Sequence, residues 1–574
     1  MATARRKPVV VVVALDFGTT YSGYAFSSVK DYKTSKLNIT INQPWNSGEN
    51  RLASFKTPTS LLLKRNGDFV SYGYKAETAY ENKLLDKTAD KHEFLYFRQF
   101  KMELYTRKAH SNMKLKDIHG IEHSAIDVFT QSIMALRQSC LDTLTNQGYE
   151  LDEDEIKWCL TVPAIWTDEA KIFMRTSCEK AGIPSYRLVI ALEPEVASLY
   201  CQVWCAESEK KSALRPHTKC LVVDLGGGTA DISGHEILKK GLFKEICKST
   251  GNDCGGTCVD QEFFNVLHSI LGADRMDTFK TKYETEYLDL QHSFESAKRI
   301  ITRNETGKIN IPVPVSALDK ICGDDGFLKI VQNSEYSERI TIESGKMRLF
   351  PDFARSLFIK SSESVILKIE SVLSQNEAAN ISVLLLVGGF SESEIVQDKI
   401  KETFSKKTVI TPKDPTLAVL KGAVLFGHQP DVVTTRITQF AYGRKIKPIF
   451  DKKQHEERKR VLVDGEMRCD GVFELLVKSG SSVPIGKNIT KPYHTIKKNQ
   501  EKIRVALYKS CNDDTKYIDD EDCSLVGECF ITVPSPCEQK RTVKVEFEFG
   551  DTEIFITATD KNAKEVSKET FRLE

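Results

Sequence analysis

The chain has 574 residues, 40% of them hydrophobic and 28% charged, and its 81 basic against 80 acidic side chains leave a net charge of +1. That length corresponds to about four units of roughly 150 residues, and the charge balance excludes binding to nucleic acid or a membrane surface through bulk electrostatics. The apolar run Val9–Leu15 falls short of the roughly 20 residues a membrane span needs and meets Asp16 without a small-residue cleavage site, so neither insertion nor export is expected. The expected location is the cytoplasm, with the nucleus open, and the 15 cysteines are expected as reduced thiols.

In chain order, Val9–Leu15 is rich in β-branched residues and reads as a buried strand. Leu61–Leu63 and Phe69–Tyr72 flank Asn66-Gly67, the signature of a type I′ hairpin. Phe129, Ile133, Leu136, Cys140 and Leu144 recur at helical spacing and stop before Gly148. Ile156–Val162 is a second buried strand, and Thr167 caps a helix that carries Asp168 and Glu169 in its first turn and stops at Gly182. Cys220–Leu225 and Val383–Val387 are further core strands, the last leading through Gly388-Gly389 to a helix opened by a Ser391/Glu394 capping box. Strands alternating with helices imply α/β layers over about residues 9–428. After Pro430 the runs Val472–Val477, Ile503–Tyr508, Val543–Phe549 and Ile554–Thr557 are short and alternating, with a turn at Gly550-Asp551, and predict an all-β module. Lys452–Arg460 reads as a solvated charged loop or helix face. Neither Cys201/Cys205 nor Cys254/Cys258 has a partner pair at zinc-site spacing.

One pattern occurs twice. Asp16-Phe17-Gly18-Thr19-Thr20 follows one buried strand, and Asp224-Leu225-Gly226-Gly227-Gly228-Thr229, with Asp231 close behind, follows another. Each is a strand, an aspartate, a Gly/Thr turn and a second apolar segment, which suggests two similar lobes facing across a cleft. Glycines let a backbone approach phosphate and present its N–H groups. An aspartate repels phosphate directly but suits a hydrated Mg²⁺ that bridges to it. Either turn alone also fits an ordinary Gly-rich hairpin; the pair points to a di- or triphosphate held from both sides.

These turns resemble the two phosphate motifs of the actin-like ATPase superfamily, and most closely those of the heat shock 70 chaperone family. Thr161-Val162-Pro163-Ala164, Leu192-Glu193-Pro194, Glu295-Ser296-Ala297-Lys298-Arg299, Val387-Gly388-Gly389-Phe390, and Pro415 with Lys421-Gly422-Ala423 resemble further family elements in the family's order. The Gly-Gly-Phe ending and Phe100-Lys101-Met102 resemble the divergent heat shock 70 kDa protein 12 branch. The resemblance implies a two-lobed actin-like domain of duplicated ribonuclease-H-like lobes over 9–428, split near 215, a linker over 429–440, and a β-sandwich over 441–574 without a helical lid. It implies ATP or ADP with Mg²⁺ as ligands, Asp16 and Asp224 holding the metal through water. Gly18, Thr19, Thr20 and Tyr21 would wrap the phosphates from one side, and Gly226, Gly227, Gly228 and Thr229 from the other. Lys101, with Arg98 as a rival, would stabilise the γ-phosphate, while Glu193 and Asp231 would position water and metal. Glu193 equally suits a helix N-terminus beside Pro194. Glu295 and Lys298 would grip the ribose, or form a surface ion pair, with Thr302 of the cofactor-binding set near that face one turn beyond Lys298, and Gly388 and Gly389 would let the chain approach adenosine.

The departures from the family pattern are specific. The family's adenine-stacking arginine is missing, and Phe390 either stacks on the base or fills the core. Pro163 and Lys171 match a proline and an arginine that relay nucleotide state, lysine losing the bidentate geometry. The linker Asp431–Arg436 replaces a leucine-rich one, and its threonines and arginine are expected to dock poorly. In the β-module, Val483-Pro484 fits the family's Ile-Pro, and Tyr493, Ile503 and Val505 fall where apolar residues line the peptide cleft, or are plain sandwich core. Arg444 stands where an apolar cleft residue is expected, and Lys445–Asp470 reads as a charged insertion. Two functions follow as expectations: a chaperone-like protein with weak Mg²⁺-dependent ATPase activity that binds protein or peptide clients, or a nucleotide-sensing adaptor with little turnover that presents its β-domain to a signalling partner. A sugar kinase on the same fold is disfavoured by the β-module.

Overall fold

The computed structural model describes residues 7–42, 45, 54–85, 93–107, 109–210, 212–532, 541–550, 552–560 and 566–570. Two mixed sheets organise residues 11–410, and both follow the same strand order. In the first, Val11–Phe17 lies between a parallel neighbour, Ile156–Val162, and an antiparallel one, Tyr21–Ser28; Leu188–Leu192 extends the parallel side and Thr40–Ile41 the antiparallel side. In the second, Lys219–Leu225 takes the central place, with Val383–Val387 and then Thr408–Ile410 on the parallel side and Ala230–Ile237 and then Phe243–Asn252 on the antiparallel side. Apart from Asp16 in the first and Lys219 and Asp224 in the second, the central strands are apolar because both faces are covered, which is why they read as continuous runs in the sequence.

The inner faces of the two sheets share one core with two helices, Glu193–Glu207 and Ala418–His428, whose buried side chains lie between Val12 and Ala14 of one sheet and Val222 and Leu385 of the other. Gly422 makes this possible. A β-carbon there would collide with the Val196 carbonyl, so only glycine lets the two helices touch. Outer-face cores complete each half, with the helix Ala125–Asn146 on the first sheet and Thr257–Leu271 on the second.

Two local readings are corrected. The Leu61–Tyr72 hairpin is not type I′: Gly67 takes a positive φ of +93° but Asn66 does not, and the register slips between Leu62 and Leu63. The Asn66 side chain accepts the Asp68 N–H instead, which stabilises a bulged turn. Ser391 caps no helix. Gly389–Glu392 forms a 3₁₀ turn in which Ser391 Oγ donates to the Gly388 carbonyl at 2.7 Å, and the helix starts two residues after Glu392, at Glu394.

From residue 441 onward the described elements are strands, apart from a 3₁₀ turn at Glu457–Lys459. One four-stranded antiparallel sheet runs Val472–Val477, Ala441–Ile446, Lys502–Ser510, Cys523–Thr532; another runs Lys487–His494, Thr542–Phe549, Phe555–Asp560, Val566–Thr570. A single core of alternating side chains, including Val505, Val545 and Phe547, joins them. The Gly550-Asp551 turn is described only at Gly550, whose φ is +92°. The charged segment 445–470 folds as the hairpin Arg460–Val463 with Glu466–Cys469, and Asp470 ties it back to Lys445 and Lys447 at 3.0 and 3.2 Å.

The linker docks, contrary to the expectation drawn from its composition. Val432 and Val433 are 2% exposed and join the shared core, and Thr435–Ile437 pairs with Ser482–Pro484. Arg436 is buried against Glu195, its Nε and Nη2 donating to the two carboxylate oxygens at 2.6 and 2.7 Å. The β-region itself rests on the helix Asp168–Lys180. There Tyr442 OH donates to Asp168 at 2.7 Å, Lys509 Nζ to Glu169 at 2.5 Å, and Arg175 pairs with Glu553, while Ile172 enters the β core.

Candidate nucleotide site

Both aspartates sit one residue before the end of their central strands, so each strand delivers a carboxylate to the mouth of a tight turn. Gly18 packs on the Tyr21 carbonyl in the first turn and Gly226 on the Thr229 carbonyl in the second, the same closure made twice. The two turns meet: Gly227 lies against the Thr20 side chain and Gly228 against Thr19 and Met102. Asp224 lies beside Gly388, whose φ of +85° and lack of a β-carbon leave the carboxylate its space.

The helix that begins at Glu193 delivers that carboxylate to the same cleft. Lys101 Nζ donates to Glu193 Oε1 at 2.9 Å, and the lysine, 3% exposed, lies 5.0 Å from the Trp166 ring centroid. Arg98 points elsewhere, to Gln291 at 2.9 Å, which separates the two rival cations. Asp16 accepts from Thr161 Oγ1 at 2.9 Å and from Lys56 Nζ at 2.6 Å. Thr229 Oγ1 donates to Asp231 Oδ2 at 3.3 Å, and Asp231 Oδ1 has no hydrogen-bond partner.

Burial raises every one of these carboxyls, and their neighbours sort them. At Asp16 the effect of burial is overcome by the Lys56 ammonium, which holds the group below its ordinary range. At Asp224 burial and the charges of Glu193 and Asp16 push it up to about 8. Asp231 is raised by burial, Glu193 and Asp224, and Glu193 is raised by burial despite Lys101. Four carboxyls, Asp16, Glu193, Asp224 and Asp231, thus share the cleft with two ammonium groups, Lys56 and Lys101, and their hard oxygens suit Mg²⁺. Among the described residues no three His, Cys, Asp or Glu side chains converge as direct ligands.

The residues expected around adenosine lie together on the second half. Lys298 Nζ donates to Asp260 at 2.7 Å and to the Gly256 carbonyl at 3.2 Å, and pairs with Glu295. Gly256 in turn lies against the Phe390 ring. Phe390 is 8% exposed and stacks on Phe358, with centroids 6.4 Å apart at 12°, so its ring is part of the core. A β-carbon at Gly389 would come only into ordinary van der Waals contact with Thr416, at 3.9 Å. Thr302 is off the helix, which ends at Lys298, and does not share the Glu295 face. Arg299 bridges the halves: it pairs with Glu295 at 2.7 Å and lies 5.3 Å from the Tyr21 ring centroid.

Sequence reasoning passed over Lys56 and Asp260, and named Arg299 in a motif without giving it a role of its own. Lys56 stands in no motif; its signal is that it immediately precedes Thr57-Pro58, which pairs with Tyr21 and Ser22. In the β-region, Tyr493, Ile503 and Val505 are 9%, 4% and 0% exposed and face the shared core. Arg444 lies 4.6 Å from the Tyr493 ring centroid, pairs with Glu474 and donates to the Pro492 carbonyl. Lys171, beside Asp168 at 3.6 Å, sits at the seam between the helix and the β-region.

Residues 115–447 match the family described as Hsp70 protein. The chain is 31% identical to Heat shock 70 kDa protein 12A of Homo sapiens over 615 positions, covering 96% of this chain and 90% of that relative. It is 31% identical to Heat shock 70 kDa protein 12B of Homo sapiens over 617 positions, covering 96% and 89%. Chaperone protein DnaK of Mycoplasmopsis synoviae is 27% identical over 299 positions, 51% of this chain and 45% of that protein.

Proposed function

The chain belongs to the Hsp70 family, in the branch of the heat shock 70 kDa protein 12 relatives, and from that premise we propose that it binds ATP or ADP with Mg²⁺ between two lobes, hydrolyses ATP slowly, and engages protein or peptide partners through a C-terminal β-sandwich. The meeting of the two aspartate-led turns, Thr19-Thr20 against Gly227-Gly228, carries this reading. The N–H groups of Gly18–Tyr21 and Gly226–Thr229 bind the phosphates from opposite sides. Asp16 and Asp224 hold the Mg²⁺ through water, and the ion, when bound, neutralises phosphate charge. Glu193 orients the attacking water, and Lys101, fixed by Glu193 and Trp166, places a cation at the transferred phosphoryl group. Asp231, with one oxygen unpartnered, would accept a hydrogen bond from a water in the site. Glu295 and Lys298 meet the ribose, and Gly388 and Gly389 admit the base.

A second reading, a nucleotide-sensing adaptor with little turnover, is favoured by one observation. Tyr493, Ile503 and Val505 are buried in the β core, and Arg444 covers Tyr493. A β-region in that form recognises a folded partner by its surface rather than an extended peptide by an apolar cleft. Calorimetric titration with Mg-ATP and Mg-ADP, followed by single-turnover hydrolysis, tests both readings. Hydrolysis in the wild type faster than in Asp16→Asn supports the ATPase; binding with equal, background hydrolysis in both supports the adaptor.

A further inference from the structure

Lys56 is held in the cleft by its place in the chain. The residue after it begins the two-residue strand Thr57–Pro58, paired with Ser22 and Tyr21 of the first hairpin. Its aliphatic stem lies over Gly23, where an added β-carbon would stand 3.1 Å from Lys56 Cγ. The side chain is only 12% exposed, and its ammonium sits 2.6 Å from Asp16 Oδ2. Its charge also acts on Glu193 and Asp224. Lys101 is already fixed on Glu193, so Lys56 is the cation nearest the metal-binding aspartate, and it competes there with any divalent ion.

We propose that Lys56 is a resident counter-ion of the phosphate site, and that it lets this protein bind a nucleoside di- or triphosphate without a divalent metal. This rests on the nucleotide-binding reading above. An ammonium has three protons to donate. One meets Asp16, and the others are free to meet phosphate oxygens in charge-assisted hydrogen bonds. A site with a built-in cation has less to gain from Mg²⁺, so its affinity for nucleotide depends shallowly on metal.

Calorimetric titration of the full chain with ADP, in buffer with Mg²⁺ and in buffer with EDTA, tests this. In the wild type the two dissociation constants are expected to lie within about tenfold of each other. In Lys56→Met the EDTA value is expected to weaken by a further factor of about ten or more while the Mg²⁺ value changes less, and Lys56→Arg is expected to keep the wild-type ratio. Circular dichroism confirms that the variants are folded; if Lys56→Met is not, the wild-type pair of titrations decides. Wild-type binding seen with Mg²⁺ and lost in EDTA overturns the role of Lys56 and leaves the nucleotide reading standing. An EDTA-to-Mg²⁺ ratio unchanged in Lys56→Met also overturns it. Absence of binding in both buffers overturns the nucleotide reading itself.

Discussion

Glu193 and Glu195 stand on the first turn of one helix, and each carboxylate grips a cation from a distant part of the chain: Lys101 of the cleft and Arg436 of the linker. The arrangement connects the cleft that holds Lys101 to the β-region through a single turn of backbone. Arg436 is tied further to the Gly550 carbonyl at 3.0 Å, so it clamps linker, helix and β-region together.

A buried ion pair is costly to break from one side, because the remaining charge is stranded; the loss is about 3–5 kcal/mol, whereas replacing both partners with apolar residues is often neutral. Arg436→Met is therefore expected to lower the denaturation midpoint and to expose residues 431–437 to limited proteolysis. Adding Glu195→Met to it is expected to recover most of the lost stability. A double variant as unstable as Arg436→Met would show that Arg436 acts through packing alone.

Lys101 is 3% exposed and committed to Glu193, so its truncation leaves a buried carboxylate unpaired and, on the ATPase reading proposed above, removes a transition-state cation. Loss of one such electrostatic group costs about 10²–10³ in rate. Lys101→Ala is expected to slow single-turnover hydrolysis by that order while ADP affinity, read by calorimetry, stays within about tenfold of wild type.

Linker docking should carry a pH signature. Glu245 is buried, and accepts from Ile437 N–H at 2.8 Å and Ser249 Oγ at 2.7 Å; burial raises it from an ordinary 4.5 to about 7 despite these bonds. The folded protein thus keeps a proton that the unfolded chain releases. The associated stability is full below about pH 4.5 and is lost as pH rises through about 7. Glu245→Gln keeps an acceptor for Ile437 without the charge. Thermal unfolding from pH 5 to 8 is expected to show the wild type losing stability relative to the variant across that window. Parallel curves would place the proton elsewhere.

Much of the cleft was legible because it is local. Each aspartate stands beside its own Gly/Thr turn and at the end of its own apolar strand, and a hairpin writes that pattern into adjacent positions. The contacts that tie the cleft and the β-region together were not legible, because they join separate parts of the chain: Lys56 and Asp16 are 40 residues apart, Arg436 and Glu195 241, and Lys509 and Glu169 340. Composition alone misjudged the linker for the same reason. Arg436 looked too polar to dock, and only the fold shows that Glu195 waits for it. Alternation placed Tyr493, Ile503 and Val505 on an inward face, but alternation is the same whether that face closes on a core or opens to a cleft.

The contact between the helices Glu193–Glu207 and Ala418–His428 offers the sharpest test of how the two sheets are held. Gly→Ala within a helix ordinarily gains about 1 kcal/mol. At Gly422 the new methyl would meet the Val196 carbonyl, which belongs to the partner helix backbone and cannot turn aside. At Gly427 it would meet the Val12 Cγ1 methyl, a side-chain atom rather than backbone. Overpacking costs about 1–3 kcal/mol or more where nothing yields. Gly422→Ala is therefore expected to lower the denaturation midpoint well below that of Gly427→Ala. It should also weaken nucleotide binding, since the displaced helix begins at Glu193. If the two variants unfold together, the helices do not meet backbone to backbone at Gly422, and the shared core cannot be what fixes Glu193 beside Lys101.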